Sequence, residues 1–293
     1  NGAPGFGSAI CIKDSVGQLN VKVDGCEFTQ NAANWGTIYA TNVVLIVNNT
    51  LFNNNAVRGT SGAMGSRGSA IAVESSLLEV YNSNFTNNRL FSSYGNGHVL
   101  FIDKASSNIS NSYFAYESPY TEAGGISASA IYVQNSGILT YIDNCVFVNF
   151  SDDKGGSIRS SYGGNLTVLN SRFVNSTATS QGAAIYSIDY PSVNLTLSNN
   201  IFENCKLADG TEENIYYEGV NLVELGTNAT ISVNSTEVIE GEDNILAFAV
   251  CDNENNPLDT VLEITLTSAK NSFTRTVQVD EGIGSIRSEE HTS

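Results

Sequence analysis

The chain is poor in the residues from which most catalytic and metal sites are built. Its 293 residues include two histidines, one tryptophan, one methionine and four prolines, and Lys and Arg number 13 against 30 Asp and Glu. The formal net charge is -17. Because clusters of Lys and Arg are what bind nucleic-acid phosphates and anionic lipid headgroups, this balance excludes a nucleic-acid partner and disfavours an anionic membrane surface.

Recognisable catalytic and cofactor motifs are also missing. The sequence contains no phosphate-binding loop, no zinc-ligand spacing and no Ser, His and Asp in a hydrolase order. Two acidic stretches match no EF-hand loop, so we expect them to be solvated: EGEDN at residues 240–244 and DNENNPLD at residues 252–259. Five cysteines, an odd number, argue against a disulfide framework. We therefore predict no cofactor, no metal site and no enzymatic activity.

A repeated frame around seven phenylalanines is the main feature that is present. An aliphatic residue lies five positions before each Phe, Gly or Asn lies three before, a small residue lies two before, and Asn lies two after in five copies. Consecutive copies are 24 to 33 residues apart, a period typical of solenoids. The seven residues are Phe28, Phe52, Phe85, Phe114, Phe147, Phe173 and Phe202.

The composition favours strands over helices in these repeats. Asn, Ser, Gly, Thr, Val and Ile dominate, with short alternating runs such as LEV, LTV and LTL that Asn or Gly soon ends. Three short strands per repeat joined by sharp turns predict an all-β, right-handed parallel β-helix over residues 1–222, with about seven to eight coils. Stacked coils put like residues above like, so we expect one Phe column and ladders of Asn.

The sequence after the repeats has a different character. Residues 1–205 carry a net charge of -4 and residues 206–293 a net charge of -13. The Phe frame disappears, and the alternating stretches ATISV, ILAFAV, VLEITLTS and TRTVQV indicate antiparallel strands of a β-sandwich. Residues 227–286 are too few for a complete sandwich of this kind, so we expect a truncated immunoglobulin-like module there.

Tandem copies of an AI-type strand followed by NSxFxNN resemble the repeats of polymorphic outer membrane proteins. They resemble still more closely the adhesin-like surface proteins of methanogenic archaea, in which such coils precede bacterial-type immunoglobulin-like modules. The likeness of the coils covers residues 1 to about 222, and TNATISVNSTEVIEGEDNILAFAV from Thr227 resembles one such module. This resemblance implies an extracellular, cell-surface protein of the pectin lyase-like fold that acts in adhesion.

The two ends of the sequence look cut. The last seven residues, 287–293 (RSEEHTS), match the translation of one frame of a widely used sequencing adapter, so we expect the reading frame to have passed the end of a DNA fragment. On this hypothesis His98 is the only native histidine. The sequence starts at Asn1 within a coil, so a missing signal peptide or anchor carries no information.

A carbohydrate-active enzyme on a β-helix, either a polysaccharide lyase or a glycoside hydrolase, is the alternative function. Such chemistry needs paired carboxyl groups. The adjacent Asp152 and Asp153 precede Lys154 in NFSDDKGG, for which a solvated loop is the favoured interpretation. His98 enters a strand beside Leu100, where a histidine is more often a surface or core-rim residue than a catalyst.

We therefore interpret the chain as a non-enzymatic adhesin or adhesin-like stalk. Two insertions, after Phe52 and after Phe114, are the expected partner-binding loops, and no membrane insertion is expected within this stretch. The partners would be surface glycans or proteins of another cell, or a cell-wall polymer. The candidate binding residues are Arg58, Arg67, Tyr116 and Tyr120, and the best of nine N-x-S/T sequons for glycosylation are Asn149 and Asn175.

Overall fold

A computed structural model describes most of the chain as strands and turns. The described part has no helix and divides into two compact units, Asn1–Leu225 and Gly226–Ser293. The described residues are 6–17, 19–57, 66–90, 95–96, 98–117, 128–134, 138–162, 164–188, 194–219, 221–224, 230–233, 245–251, 257, 260–267, 272–281 and 283–287.

The first unit is a parallel β-solenoid with three long sheets. The first sheet contains, in spatial order, Ile10–Lys13, Ile38–Thr41, Ile71–Glu74, Leu100–Asp103, Ile131–Gln134, Ile158–Ser161, Ile185–Ile188 and Ile215–Glu218. The second contains Leu19–Asp24, Val43–Asn48, Leu77–Tyr81, Ser106–Ser110, Ile138–Asp143, Gly164–Leu169, Asn194–Ser198 and Asn221–Glu224. The third contains Glu27–Thr29, Leu51–Asn53, Asn84–Thr86, Tyr113–Ala115, Val146–Val148, Arg172–Val174 and Ile201–Glu203. All pairings in these sheets are parallel, so the predicted parallel β-helix architecture is confirmed.

The predicted Phe column is also confirmed. Consecutive rings of the seven frame phenylalanines lie 4.6 to 5.1 Å apart between centroids, with planes within 14° of parallel. The five central rings have no solvent exposure, whereas the end members Phe28 and Phe202 are partly buried. Aliphatic residues such as Ile142 and Val168 complete the same core.

Backbone geometry explains the Asn frame. The residue three before each Phe has a φ between 47° and 60°, in the left-handed region that Gly and Asn tolerate best. The residue two after each Phe has a φ between 53° and 61° in six coils. Each coil therefore turns sharply on both sides of its third-sheet strand.

A column of small polar side chains satisfies the backbone beside these turns. Ser83 Oγ accepts a hydrogen bond from Thr50 N at 3.2 Å and donates one to Tyr81 O at 2.7 Å. Ser171 Oγ makes the equivalent bonds with Cys145 N and Leu169 O. The preference for a small residue two before Phe thus reflects a buried hydrogen-bonding role.

Shorter sheets complete the first unit. They are Ala32–Ala33 with Ala56–Val57 and Arg89–Leu90; Ser66–Arg67 with Gly95–Asn96; and Ser151–Lys154 with Thr177–Gln181 and Lys206–Leu207. Strand Ser151–Lys154 runs parallel to Thr177–Gln181 with a register shift between Asp152 and Lys154.

The second unit is antiparallel in the part that the structure describes. Its strands are Thr230–Val233, Ile245–Cys251 and Ile283–Arg287 in one sheet, and Thr260–Thr267 with Ser272–Val279 in another. Phe248, Val250 and Val279 are buried, which follows the alternation of inward and outward residues in a half-buried strand.

Candidate functional site

Chemically distinctive side chains gather on the outer face of the first sheet. Alternate residues of a strand point to opposite faces, and the second residue of each strand here points away from the Phe column. These residues are Cys11, Tyr39, Ala72, Phe101, Tyr132, Arg159, Tyr186 and Tyr216. We call this set the outer column.

Much of the outer column is buried, although it lies outside the coil. Trp35, Tyr39, Ala72, Phe101 and Tyr132 form a second hydrophobic cluster, separate from the main core. Phe101 is fully buried, so other parts of the chain cover this stretch of the sheet. This part of the outer column thus forms a small hydrophobic core together with Trp35, and the side chains of Arg67 and Arg159 lie beside its rings.

Arg67 is fixed within this second cluster rather than presented for binding. Its guanidinium carbon lies 4.3 Å from the ring centroid of Trp35 and 4.8 Å from that of Phe101. Its Nη1 lies 2.8 Å from a carboxylate oxygen of Glu74 and 3.5 Å from one of Asp103. Two carboxylates therefore already balance the charge of this guanidinium, and two aromatic rings already contact it.

A buried polar cluster surrounds His98 further along the same face. The side chain of His98 is 3% exposed, and its Nδ1 lies 2.5 Å from Ser129 Oγ and 3.7 Å from Asp152 Oδ2. Ser129 is fully buried and donates its backbone N–H to Asp152 Oδ2 at 3.3 Å. The imidazole packs against Tyr132, with 4.6 Å between ring centroids.

Burial shifts the protonation of this cluster. Desolvation, followed by the charge of Arg159, lowers the pKa of His98 to about 3. Burial also raises the pKa of Asp152, while hydrogen bonds from backbone N–H groups and the charge of Arg159 act against that rise. At neutral pH His98 is consequently a neutral imidazole that shares a hydrogen bond with Ser129.

The geometry differs from that of a hydrolytic triad. In a triad the nucleophile and the carboxylate bond to opposite nitrogens of the imidazole, so that one nitrogen takes the proton of the nucleophile while the carboxylate orients the ring through the other. Here Ser129 Oγ and Asp152 Oδ2 both approach Nδ1. Because Ser129 is also fully buried, the cluster orients and satisfies polar groups but does not offer a nucleophile to a substrate.

The preference for a solvated loop at Asp152 and Asp153 is partly wrong. Both residues lie in the strand Ser151–Lys154, where Asp153 is exposed and the side chain of Asp152 is 13% exposed. Of the two placements expected for His98, surface or core rim, the surface is wrong, because its side chain is only 3% exposed. The contact between His98 and Ser129 could have been predicted from the repeat. Leu100 and Ile131 begin adjacent strands and pair with each other, and His98 and Ser129 each lie two residues before them.

Tyr116 belongs to the coil rather than to a projecting loop. Its ring packs on Phe150 with 4.8 Å between centroids, and its side chain contacts the main core. Tyr116 O accepts a 2.7 Å hydrogen bond from Asn149 Nδ2. Arg58 and Tyr120, the other two candidate binding residues of the insertions, lie outside the described residues, as do the acidic stretches 240–244 and 252–256.

The two sequon asparagines form an exposed ladder. Asn175 donates from Nδ2 to Asn149 Oδ1 at 2.9 Å, and Asn204 donates to Asn175 Oδ1 at 2.8 Å. Both sequon residues are exposed at left-handed turns. Glycosylation at either position would therefore use an amide nitrogen that already takes part in coil stacking.

Metal and membrane features can be stated for the described residues. Within these ranges, no group of three or more His, Cys, Asp or Glu side chains is arranged to hold a metal ion. No helix among them has the length and hydrophobicity required to cross a bilayer. None of the five cysteines, all of which lie in the described ranges, forms a disulfide, and Cys145 and Cys205 are buried.

Comparison with known proteins gives no relative. No family model, no curated protein sequence and no solved structure matches the chain.

Proposed function

We propose that the chain is part of a non-enzymatic, extracellular surface protein that acts as an adhesin or adhesin-like stalk. The observation that carries this proposal is the repetitive stacking of the first unit. The same Phe ring, turn asparagine and small polar residue recur from coil to coil, which gives an extended scaffold whose surface groups repeat. The resemblance to adhesin-like surface proteins of methanogenic archaea supports the same role.

The finer features of the fold belong to this proposal. We infer right-handed winding of about seven to eight coils, since parallel crossover connections are right-handed in nearly all proteins. For the second unit we propose an immunoglobulin-like module. Two antiparallel groups of strands with alternating burial support that assignment.

The partners would be surface glycans or proteins of another cell, or a cell-wall polymer. An array of glycans and wall polymers probed with the purified chain tests this proposal, with release of reducing or unsaturated sugars measured in the same wells. We expect retention on a subset of the array without sugar release. Absence of retention on every surface would contradict adhesion and leave a purely structural envelope role.

A carbohydrate-active enzyme is the second candidate, and one observation favours it. Asp152 is a largely buried carboxyl group near His98, and burial raises its pKa, which is the direction of shift that a general acid needs. The exclusion of His98 and Ser129 from solvent weighs against it. Sugar release that Asp152→Asn abolishes, in a variant with unchanged folding, would replace adhesion by catalysis.

A further inference from the structure

Arg159 occupies an unusual place in the outer column. Its neighbours across the sheet are Tyr132 on one side and Tyr186 on the other. The guanidinium carbon lies 5.4 Å from the ring centroid of Tyr132 and 5.9 Å from that of Tyr186. A cation therefore stands between two aromatic rings on a partly exposed side chain.

A second cation reaches the same place from another strand. Lys154 Nζ lies 5.0 Å from the ring centroid of Tyr186 and 3.3 Å from its hydroxyl oxygen. The turn after this strand depends on Gly155, which has a φ of 65° and lies so close to Tyr186 that an added Cβ would fall 2.8 Å from the Cβ of that tyrosine. Two positive charges thus converge on Tyr186.

Neither cation has a direct carboxylate partner in the part of the chain that the structure describes. Among those residues, no carboxylate forms an ion pair with Arg159 or Lys154, and Arg159 Nε is buried without an acceptor. Arg67, in the same sheet face, shows the opposite arrangement with its two carboxylates. A buried donor without a partner is costly, which makes such a position informative.

Asp152 interacts electrostatically with Arg159, but its oxygens are engaged elsewhere. Oδ1 accepts a 2.7 Å hydrogen bond from Asp153 N, and Oδ2 accepts from Ser129 N and faces His98. Asp152 therefore moderates the local positive potential but does not form a salt bridge with Arg159.

An exposed aromatic ring follows the same strand. Tyr162 comes directly after Ile158–Ser161, is 63% exposed and has a φ of 69°, a left-handed conformation that is rare for a bulky residue. The residues that directly follow other strands of this sheet, Asn42, Ser75 and Lys104, are left-handed too, so the conformation belongs to the coil and the exposed ring is the distinctive feature of Tyr162. An amphipathic tyrosine face is suited to stacking on a sugar ring.

We propose that Arg159 and Lys154 bind the carboxylate of an acidic sugar, whose ring stacks on Tyr162. The inference rests on the proposed adhesive function and names the chemical class of its ligand. Arginine offers paired N–H donors to a carboxylate, and lysine adds a point charge.

The test is direct binding of a galacturonic acid trisaccharide to the full chain, measured by calorimetry or ligand-observed NMR. The fully methyl-esterified trisaccharide is the matched ligand without charge, and inorganic sulfate is an anion without a sugar ring. We expect the free acid to bind at least about tenfold more tightly than either control. The ester cannot form the charge-assisted hydrogen bonds, and sulfate has no ring to stack on Tyr162.

Variants separate this site from general charge effects. Arg159→Gln and Lys154→Gln should each weaken binding at least about tenfold, and Tyr162→Ala should weaken binding of the sugar but not of sulfate. Arg172→Gln is the matched control, because Arg172 pairs with Glu203 on the third sheet and should leave affinity unchanged. Arg159→Lys keeps the charge in case Arg159→Gln unfolds, and it should retain part of the affinity.

Three outcomes would overturn the proposal. They are equal binding of ester and acid, equal binding of sulfate, or an equal loss in Arg172→Gln and Arg159→Gln. Array binding that the trisaccharide fails to inhibit would refute this site while leaving adhesion in place. Trisaccharide binding without retention on any surface would refute adhesion alone.

Discussion

At the scale of single residues, left-handed turns account for the asparagines of the repeat. Asn144, with a φ of 49°, both turns the chain and donates from Nδ2 to Asn111 Oδ1 at 2.7 Å. The first role depends on the backbone and the second on the side chain. The side chain is exposed, so its hydrogen bond contributes little compared with the conformational preference.

Replacement of Asn144 by Ala or by Gly separates these two roles. Both variants lose the amide, but only Ala meets a steric penalty in the left-handed region. Asn144→Ala should therefore reduce the free energy of unfolding by about 1 kcal/mol more than Asn144→Gly, measured in urea. Equal losses in the two variants would show that the ladder, rather than the turn, selects Asn.

His98 carries a clear expectation for pH. Its pKa is about 3 in the folded chain against 6.5 for an unperturbed histidine, because burial disfavours the imidazolium. Between these values the unfolded chain binds a proton that the folded chain does not. The stability contribution of neutral His98 is therefore complete above pH 6.5 and is lost as pH falls toward 3.

Proton NMR titration of the folded chain checks this expectation, with His98→Gln to assign the resonance against His291. We expect the His98 signal to remain that of neutral imidazole at pH 5. The variant should lose less unfolding free energy than the parent as pH falls from 6.5 to 4, which lies within the window from the shifted to the usual pKa. A midpoint near 6.5 for His98 would contradict its enclosure by Ser129 and Tyr132.

At the scale of the element, the third sheet is held together by the Phe column. Phe85 lies between Phe52 and Phe114, with centroid distances of 4.9 Å and 4.6 Å. Phe28 stacks on a single neighbour at the end of the column and is partly buried. The same side chain thus has two environments within one protein, which offers an internal comparison.

Phe85→Ala should cost about 3 to 5 kcal/mol, since it removes a fully buried ring and leaves a cavity between two others. Phe28→Ala should cost clearly less, because solvent and the remaining coil can relax around the gap. Urea unfolding of both variants measures the difference. If the two losses were equal, stacking within the column would not be the source of stability.

The sequence predicts the coil well because stacking places equivalent residues in the same environment in every coil, so the same residue types recur. The Phe frame, its small polar residue and its turn asparagines all follow from contacts with equivalent residues above and below. The outer face does not obey this rule. Asp152 reaches His98 from a short strand outside the frame, and Arg159 takes a position where five of the other seven strands place an aromatic residue.

Tyr116 shows where the frame misled. It stands two residues after Phe114, the position that is a left-handed turn in the other coils. The sequence placed it in the insertion after Phe114 that we expected to project as a binding loop. Instead, Tyr116 packs on Phe150, and this contact holds it against the core. Phe150 lies three residues after Phe147, a position that holds a small or polar residue in the other coils.

At the scale of the whole molecule, the two compact units differ in the range of their hydrogen bonding. In the first, each strand pairs with an equivalent strand of a neighbouring coil, so stability is approximately a sum of coil terms and nearest-neighbour terms. The last such strands are Ile215–Glu218 and Asn221–Glu224, which pair with Ile185–Ile188 and Asn194–Ser198. The second unit uses antiparallel pairs within residues 230–287.

Truncation tests whether the first unit is self-sufficient. A fragment of residues 1–225 keeps every strand of the three long sheets, and it should retain a β-type circular dichroism spectrum and a cooperative urea transition. A fragment of residues 1–204 lacks the last strand of the first and second sheets, and loss of those nearest-neighbour interfaces should lower its unfolding midpoint. If residues 1–225 failed to fold while the full chain folded, residues after 225 would be required for solenoid stability. Equal midpoints for the two fragments would show that the final strands add nothing to the stack.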